Sequence, residues 1–353
     1  VKSLYYELDV SVCSEGDACD FRFHADKKFL KDLQAERVED RDLLVRIGDS
    51  YRGKDVNFQT RVREKVTNPP LPYNLTSLQS DMSRRYGYSM DRTLRITQSL
   101  RSKHAITYNR SDSQYLKEEH FQEAPQLFRT ILNGTLPDKY QMDFTRHSAC
   151  FNDSLVTAHH GIIPQKNAID PDKLTQEERR VYLAIVDRYA MQFMKPMVQK
   201  ISTSVIPCPF EGYEHTLEHK AYLTIDPGYT AFFGKESGQK GSEKEDADDE
   251  HSHHQRFFPA GQHSGTAQSY EISEKETKPP ARYTDGTLAS DMASIAKYVK
   301  DPQIREILKK KDEGKKGENG SIGTVATRGT IVENLIRRGF LERSGKTIRS
   351  TIL

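Results

Sequence analysis

The sequence predicts an α+β protein of more than one domain, in which a β-rich unit is interrupted by a helical insertion and followed by a helical C-terminal segment. Three observations carry that reading. Strand-type alternation occurs at Phe21-Arg22-Phe23-His24 and over 56–62, stops, and resumes over 198–206 and 220–225. Between those stretches the apolar residues switch to helical spacing, at Leu75, Leu78 and Met82 and again at Val181, Ile185, Tyr189 and Phe193. A length of 353 residues is enough for two or three domains with cores of their own. The boundaries expected are 1–67 with 199–280 for the β-rich unit, 68–198 for the helical insertion and 281–353 for the last segment.

Within 1–67, the apolar run Leu43-Leu44-Val45-Arg46-Ile47 suits a half-buried strand, and residues 27–35 suit a short amphipathic helix. Asn68-Pro69-Pro70-Leu71-Pro72 closes the unit, because prolines this dense exclude helix and central strand alike. Two helices follow. The first ends at Arg84-Arg85, Tyr86-Gly87-Tyr88 makes the turn, and Ser89 is placed to cap the second, whose apolar face holds Met90, Leu94, Ile96 and Leu100. Gln79, Arg84, Arg85, Arg92, Arg95, Arg101 and Lys103 fall on the polar sides of this hairpin. It serves equally as core packing or as a cradle for a phosphate backbone.

Helical sequence continues through 116–131, punctuated by Gly134 and Pro137, and Ala158-His159-His160-Gly161-Ile162-Ile163-Pro164 is a short apolar stretch carrying two histidines. Thr175 and Glu178 have capping-box spacing ahead of a helix that runs toward Pro196. Residues 235–262 break the composition. The clustered Asp, Glu and His from Glu243 to His254 have nothing to fix a metal geometry, and they read as a solvated acidic loop. After Pro279-Pro280, Thr284 caps a helix with Leu288, Met292, Ile295 and Val299 on one face. A Lys/Gly-rich linker at 309–320 leads into Ser321-Ile322-Gly323-Thr324-Val325-Ala326-Thr327-Arg328. A helix bearing Ile331, Val332, Leu335 and Ile336 and a hairpin turning at Ser344-Gly345 complete a winged-helix-like pattern, which fits DNA contact but is widespread.

Composition narrows the function classes. A net charge of +2 gives no global basic field, so any nucleic-acid surface is local. No apolar run is long enough to span a bilayer and no signal peptide opens the sequence. Cys13, Cys19, Cys150 and Cys208 are scattered without a C-x-x-C pair, which speaks against a zinc site or disulfide framework and for a reducing cytoplasm. The N-x-S/T matches at Asn74, Asn109, Asn133 and Asn152 carry no weight without a secretory context. A start at Val1 suggests a piece of a longer chain.

The chemistry concentrates in residues 104–116, where Tyr108 is followed by Arg110, Ser111, Asp112 and Ser113. A free phenol, with a pKa near ~10, is a poor nucleophile at neutral pH. A nearby guanidinium favours the phenolate and can also bridge two phosphate oxygens. Attack on a phosphodiester would form a phosphotyrosyl ester and free a sugar hydroxyl, conserving the bond energy so that the strand is rejoined without ATP. His159 can offer a hydrogen bond to the same phosphate. With 17 tyrosines in the chain, a packed ring stacked on an arginine is the more ordinary meaning of this spacing. Competing templates fail: Gly228 to Lys235 lacks Walker A spacing, and neither a G-x-S-x-G elbow nor an H-E-x-x-H helix is present.

Three motifs, in order, separate these alternatives. Thr107-Tyr108-Asn109-Arg110-Ser111-Asp112-Ser113, Ala158 to Pro164, and Ile322-Gly323-Thr324-Val325-Ala326-Thr327-Arg328 are flanked by Pro72-Tyr73-Asn74-Leu75-Thr76-Ser77-Leu78-Gln79 and by Pro279 to Leu288. They resemble the Thr-Tyr-x-Arg-Thr/Ser-Asp-Ser, Ala-His-x-Ala-Ile-x-Pro and Ile/Leu-Gly-Thr-Pro-Ala-Thr-Arg motifs of the type IA DNA topoisomerases, topoisomerase III-like, over 68–116, 158–164 and 279–340.

That resemblance implies an arch: a discontinuous β-rich gate domain, an inserted helical, winged-helix-like domain bearing the active-site tyrosine, and part of a helical DNA-groove domain. It implies that Tyr108 becomes linked to a 5′ phosphate, with Arg110 and His159 as its catalytic partners at that phosphate. Thr327 matches a position that contacts single-stranded DNA, and Asp112, Gln79, Arg84, Arg85, Lys103, Thr324 and Arg328 join it as expected DNA-binding residues. Val325, Ser321 and Gln165 depart from the usual Pro, Gly and Thr and bear on loop shape. The family's Toprim domain, with its catalytic Glu and magnesium-binding Asp-x-Asp, has no counterpart. Asp170-Pro171-Asp172 lies in a proline-interrupted loop and does not replace it.

No metal site or cofactor is therefore expected in these residues, and Mg2+ is implied only through the Toprim domain. The expected partners are single-stranded DNA and that domain, in a monomeric, cytoplasmic, nucleoid-associated protein of prokaryotic or plasmid origin without membrane contact. The isolated chain is expected to be inactive. The rival reading is a non-catalytic winged-helix-like DNA-binding protein, in which Tyr108 is simply buried.

Overall fold

The computed structural model describes residues 2–132, 140–156, 158–166, 169, 171–233, 255–314 and 318–351. Gly134, Pro137, Asp170, the Glu243 to His254 cluster and part of the 309–320 linker lie outside the described residues. In chain order the elements are β1 (Leu4–Ser14), β2 (Asp17–His24), α1 (Lys27–Asp32), α2 (Arg41–Tyr51), β3 (Asp55–Thr67), α3 (Leu75–Tyr86), α4 (Met90–Ser102), α5 (Glu118–Ile131) and α6 (Gln176–Ala190). They continue with β4 (Met197–Phe210), β5 (Tyr213–Asp226), α7 (Thr230–Phe233), β6 (Gly261–Glu276), β7 (Tyr283–Thr284), α8 (Asp285–Met292), α9 (Pro302–Lys311), α10 (Arg328–Arg337), β8 (Leu341–Ser344) and β9 (Thr347–Ser350). They form two compact units, residues 1–68 with 196–280 and residues 69–195 with 281–353.

In the first unit all strand pairs are antiparallel and close into a barrel of order β1-β2-β5-β4-β3-β6, which leaves no free sheet edge. Strict alternation puts Cys19, Phe21 and Phe23 of β2 and Val56, Phe58 and Thr60 of β3 inside. Thr67 on β3 is the register partner of Met197 on β4, so the chain leaves and re-enters this unit at one place. The run Leu43 to Ile47 is not a strand. Asp40 accepts bonds from the Asp42 and Leu43 amides and starts α2, and Leu43, Leu44 and Ile47 form one buried helical stripe. A five-residue apolar run fits either period, and the cap decides.

In the second unit the expected caps are present: Ser89 caps α4, Thr175 and Glu178 make the box at α6, and Thr284 caps α8. Asn74 and Ser77 add a reciprocal box at α3 that was not anticipated. Gly87, at φ 67°, ends α3 in the left-handed conformation that only glycine takes freely. Residues 281–353 share a core with the hairpin: α8 lies against α3 so closely that a Cβ on Gly286 would sit 2.9 Å from Ser80 Cα. Met90, Ala289, Met292, Val332 and Ile348 pack together. β8 and β9 form the hairpin behind α10, and β7 pairs with β9 in a three-stranded wing. Arg343 on β8 holds this wing, donating to both oxygens of buried Asp285 at 3.1 and 3.0 Å. Helix α9 ends at Lys311, inside the expected 309–320 linker. Asp301 caps it and Pro302 opens it, but its apolar Ile304 and Ile307 are exposed.

Candidate active site

The tyrosine motif and the two-histidine stretch are bonded side by side. Thr107 N donates to Ile163 O at 2.9 Å, Ile163 N to Thr107 Oγ1 at 3.0 Å, Gln165 N to Ala105 O at 2.9 Å and Gly161 N to Tyr115 O at 2.8 Å. This seam places the Tyr108 and His159 rings 4.2 Å apart, centroid to centroid, at 36°. Tyr108 is partly exposed and His159 exposed, so both are open to a ligand. The Arg101 guanidinium also lies over the Tyr108 ring, 4.5 Å from its centroid.

The residue after the tyrosine anchors the loop. Asn109 is fully buried and its Nδ2 donates to Thr97 Oγ1 on α4 at 3.1 Å. Arg110 is exposed and makes no ion pair among the described residues. Ser111 Oγ accepts from Ser113 N at 3.1 Å and Ser113 Oγ from Tyr115 N at 3.1 Å, a local ladder that shapes the exit of the motif. Beside His159, His160 donates from Nδ1 to Gly161 O at 2.8 Å and stacks on His120, 4.3 Å away. Burial pushes both imidazoles below the ordinary histidine range, and their mutual repulsion holds His120 lower still.

The first turn of α3 gathers all three motifs. Ile162 N donates to Tyr73 O at 2.7 Å, Asn74 Nδ2 to Asp112 O at 3.0 Å, and Leu75 N to Ser111 O at 2.9 Å. Arg328 Nη1 reaches Thr76 Oγ1 at 3.2 Å. Four consecutive residues, Tyr73 to Thr76, thus hold three different segments, with Asn74 and Leu75 both on the tyrosine motif. Tyr73 is locked in turn by a hydrogen bond to Asp81 and by Arg188 over its ring at 4.3 Å. Burial raises the Tyr73 phenol to about 12. The Asp81 carboxyl is pushed up by burial, but Arg85 and the Tyr73 hydroxyl outweigh that and hold it low.

Several expected DNA-binding residues stand elsewhere than expected. Gln79 is not on a polar side: it is 1% exposed and spends its amide on Met90 O at 3.0 Å. Arg328 is wholly buried, paired with Glu318 and bonded to Ile322 O and Thr76, so its guanidinium is unavailable to a phosphate. Gln79 was placed outside by polarity and Arg328 was expected at DNA through the third motif, whereas the packing of α3, α4 and α10 turns both inward. Arg84 and Arg85 pair with Asp81, and Lys103 pairs with Glu178 at 2.6 Å. Burial raises the Glu178 carboxyl, but bonds from Lys103, Ser99 and the Thr175 amide and hydroxyl bring it down to about 2. Thr324 and Thr327 are exposed, and the Thr324 amide donates to Thr327 Oγ1 at 2.8 Å.

Among the described residues no group of three or more His, Cys, Asp or Glu side chains is placed to hold a metal ion. Nor, among them, is any helix long and apolar enough to cross a membrane. Two features escaped the sequence reading. The stacking of Arg101 on Tyr108 has a partial signal in the seven-residue spacing across a helix end, and the hub at Tyr73 to Thr76 has one only in the flanking similarity.

Comparison with known proteins agrees with this arrangement. The family profile described as DNA topoisomerase matches residues 1–353. DNA topoisomerase 3 of Haemophilus influenzae is 35% identical over 302 residues, covering 82% of this chain and 42% of that protein. DNA topoisomerase 3 of Vibrio cholerae is 32% identical over 320 residues, covering 89% and 46%. The enzyme of the same name from Bacillus subtilis is 29% identical over 330 residues, covering 90% and 42%. This chain thus spans under half the length of these curated relatives. Full-length topoisomerase I from Thermotoga maritima matches in structure with a TM-score of 0.63 at 20% identity, over 100% of this chain and 50% of that one, a likeness that speaks for the fold. With a profile match along its whole length and relatives above 30% identity, the chain belongs to the DNA topoisomerase family, with a type IA fold and a topoisomerase III-like sequence.

Proposed function

We propose that this chain supplies the strand-cleaving nucleophile of a type IA topoisomerase, which cuts one DNA strand, lets another pass and reseals the first without ATP. Tyr108 attacks a phosphodiester and keeps the 5′ phosphate as a phosphotyrosyl ester, releasing a 3′-hydroxyl. Arg110 meets the non-bridging oxygens of that phosphate, a task suited to an exposed guanidinium with no ion pair among the described residues. His159, with its ring against the tyrosine, hydrogen-bonds the same phosphate. Thr324 and Thr327, exposed ahead of α10, and Asp112 contact the single strand. Magnesium and the Toprim domain belong to the reading as partners of this chain, and no residue described above is assigned to hold the ion. Relaxation or decatenation is proposed for the whole protein.

The observation that carries this reading is the meeting of Tyr108 and His159, 51 positions apart in the sequence, with rings 4.2 Å apart in an accessible seam. A DNA-binding protein without catalysis would need Tyr108 only as core, and its ring is partly exposed. The test uses the full-length protein carrying this chain and a single-stranded oligonucleotide labelled at its 3′ end, because a 5′-phosphotyrosyl link retains that fragment. Tyr108→Phe is expected to abolish the labelled adduct on a denaturing gel while leaving oligonucleotide binding within about twofold, since one hydroxyl is removed from a site dominated by phosphate contacts. An adduct of undiminished yield in the variant would assign the nucleophile elsewhere.

A further inference from the structure

The cations of the α3–α4 hairpin are nearly all neutralised. Arg84 and Arg85 face Asp81, Arg92 faces Glu177, Arg95 faces Asp91 at 2.9 Å, and Lys103 faces Glu178. Arg101 is the exception. Among the described residues it meets no carboxylate, and its guanidinium lies instead over the Tyr108 ring, 4.5 Å from the centroid.

The register of the hairpin sets this contact. Arg101 occupies the last turn of α4, where the helix dipole favours a cation. His104 takes a left-handed backbone at φ 56°, and the bonds His104 N to Arg101 O and Ala105 N to Leu100 O, both 2.9 Å, turn the chain back along the helix. Thr97 and Arg101 are four residues apart and share a face of α4. Asn109 docks on Thr97 and Tyr108 on Arg101, so successive residues of the motif meet successive turns of the helix.

We propose that Arg101 is a positioning residue for the nucleophile, acting through the ring of Tyr108: it fixes the ring's orientation and stabilises the phenolate in both cleavage and rejoining. The proposal rests on the reading of Tyr108 as the nucleophile. In cleavage a bond forms between the phenolic oxygen and phosphorus as the bond from phosphorus to the 3′ oxygen breaks. The phenol gives its proton to water and the departing 3′ oxygen takes one up. In rejoining the same bonds exchange in reverse, and the phenolate is the leaving group. A guanidinium over the ring is attracted weakly by the neutral phenol's quadrupole and more strongly once the oxygen carries charge. Its contribution is therefore larger in the transition state than in the resting enzyme, the condition for acceleration. This divides the work: Arg101 attends the phenol, and Arg110 is left for the phosphate.

The test is single-turnover adduct formation by the full-length protein at saturating 3′-labelled oligonucleotide, with Arg101→Met, Arg101→Lys and Tyr108→Phe in parallel, alongside each variant's oligonucleotide Kd and Tm. Arg101→Met keeps the length of the side chain and removes its charge. It is expected to slow adduct formation about 3- to 30-fold, the range of a cation–π contact, with Kd and Tm unchanged, while Arg101→Lys retains most of the rate. A weaker Kd with an unchanged rate at saturation would make Arg101 a DNA clamp and overturn the proposal. A rate equal to wild type in Arg101→Met, or an Arg101→Lys as slow as Arg101→Met, would overturn it too. Adduct persisting in Tyr108→Phe would instead reject the nucleophile assignment on which it rests.

Discussion

Arg328 illustrates at the residue scale how little a side chain's charge says about its task. Its guanidinium is 0% exposed, pairs with Glu318, itself 11% exposed, and bonds Ile322 O and Thr76 Oγ1 at 3.2 Å each. A buried ion pair of this kind contributes little net stability over an apolar pair, yet removing one partner strands the other. Arg328→Ala is therefore expected to cost about 3–5 kcal/mol in chemical denaturation, with loss of DNA affinity only in proportion to unfolding. A variant of normal stability with weakened single-strand binding would return Arg328 to the DNA surface. Asn109 is the opposite case, a neutral residue between two proposed site residues whose burial and side-chain bond to Thr97 hold the loop that carries Tyr108.

At the scale of elements, caps serve twice. Asn74 starts α3 with its side-chain oxygen, accepting from Ser77 N at 2.8 Å, and holds Asp112 O with its side-chain nitrogen at 3.0 Å. Glu178 completes the α6 box and also takes bonds from Ser99 at 2.7 Å and Lys103 at 2.6 Å, tying α6 to the end of α4 just before the tyrosine loop. Glu178→Ala is expected to destabilise the second unit by about 1–3 kcal/mol, as a cap and buried polar partners are lost together. The sign of its pH dependence follows from a depressed carboxyl. The contribution is fully present above the unfolded value near ~4.3 and is lost as pH falls toward about 2. Acid titration of Tm should therefore fall more steeply over that window in wild type than in the variant, and parallel curves would show that Glu178 is not linked to folding.

For the whole molecule, the two compact units divide the labour. The closed barrel carries no sheet edge and spends its sequence on a core of Leu8, Val10, Phe21, Phe58 and Leu217, while every residue proposed to touch DNA lies in the other unit. Under the proposed reading magnesium acts through the Toprim domain as a partner, so the isolated 353-residue chain is expected to bind single-stranded oligonucleotides and to leave supercoiled plasmid unrelaxed with or without magnesium. Gel electrophoresis of plasmid topoisomers reads this directly. Efficient magnesium-dependent relaxation by the isolated chain would contradict it.

The sequence by itself determined the interrupted β unit, the capped helices at Ser89, Thr175 and Thr284, the helix-then-hairpin end, and the three motifs whose order led to the family. Each of these is local, set by periodicity, a cap or a short string of residue types, and so legible along one chain. The helical state of Leu43 to Ile47 was ambiguous for the same reason, because a five-residue apolar run satisfies two periods until Asp40 caps one of them. Only the tertiary structure decided which polar residues face water. It put Gln79 and Arg328 inside, matched Arg84, Arg85 and Lys103 with carboxylates, and left Arg101 over Tyr108. Those outcomes depend on which faces meet across distant segments, since the worth of a charge is set by the partner and the burial it finds there.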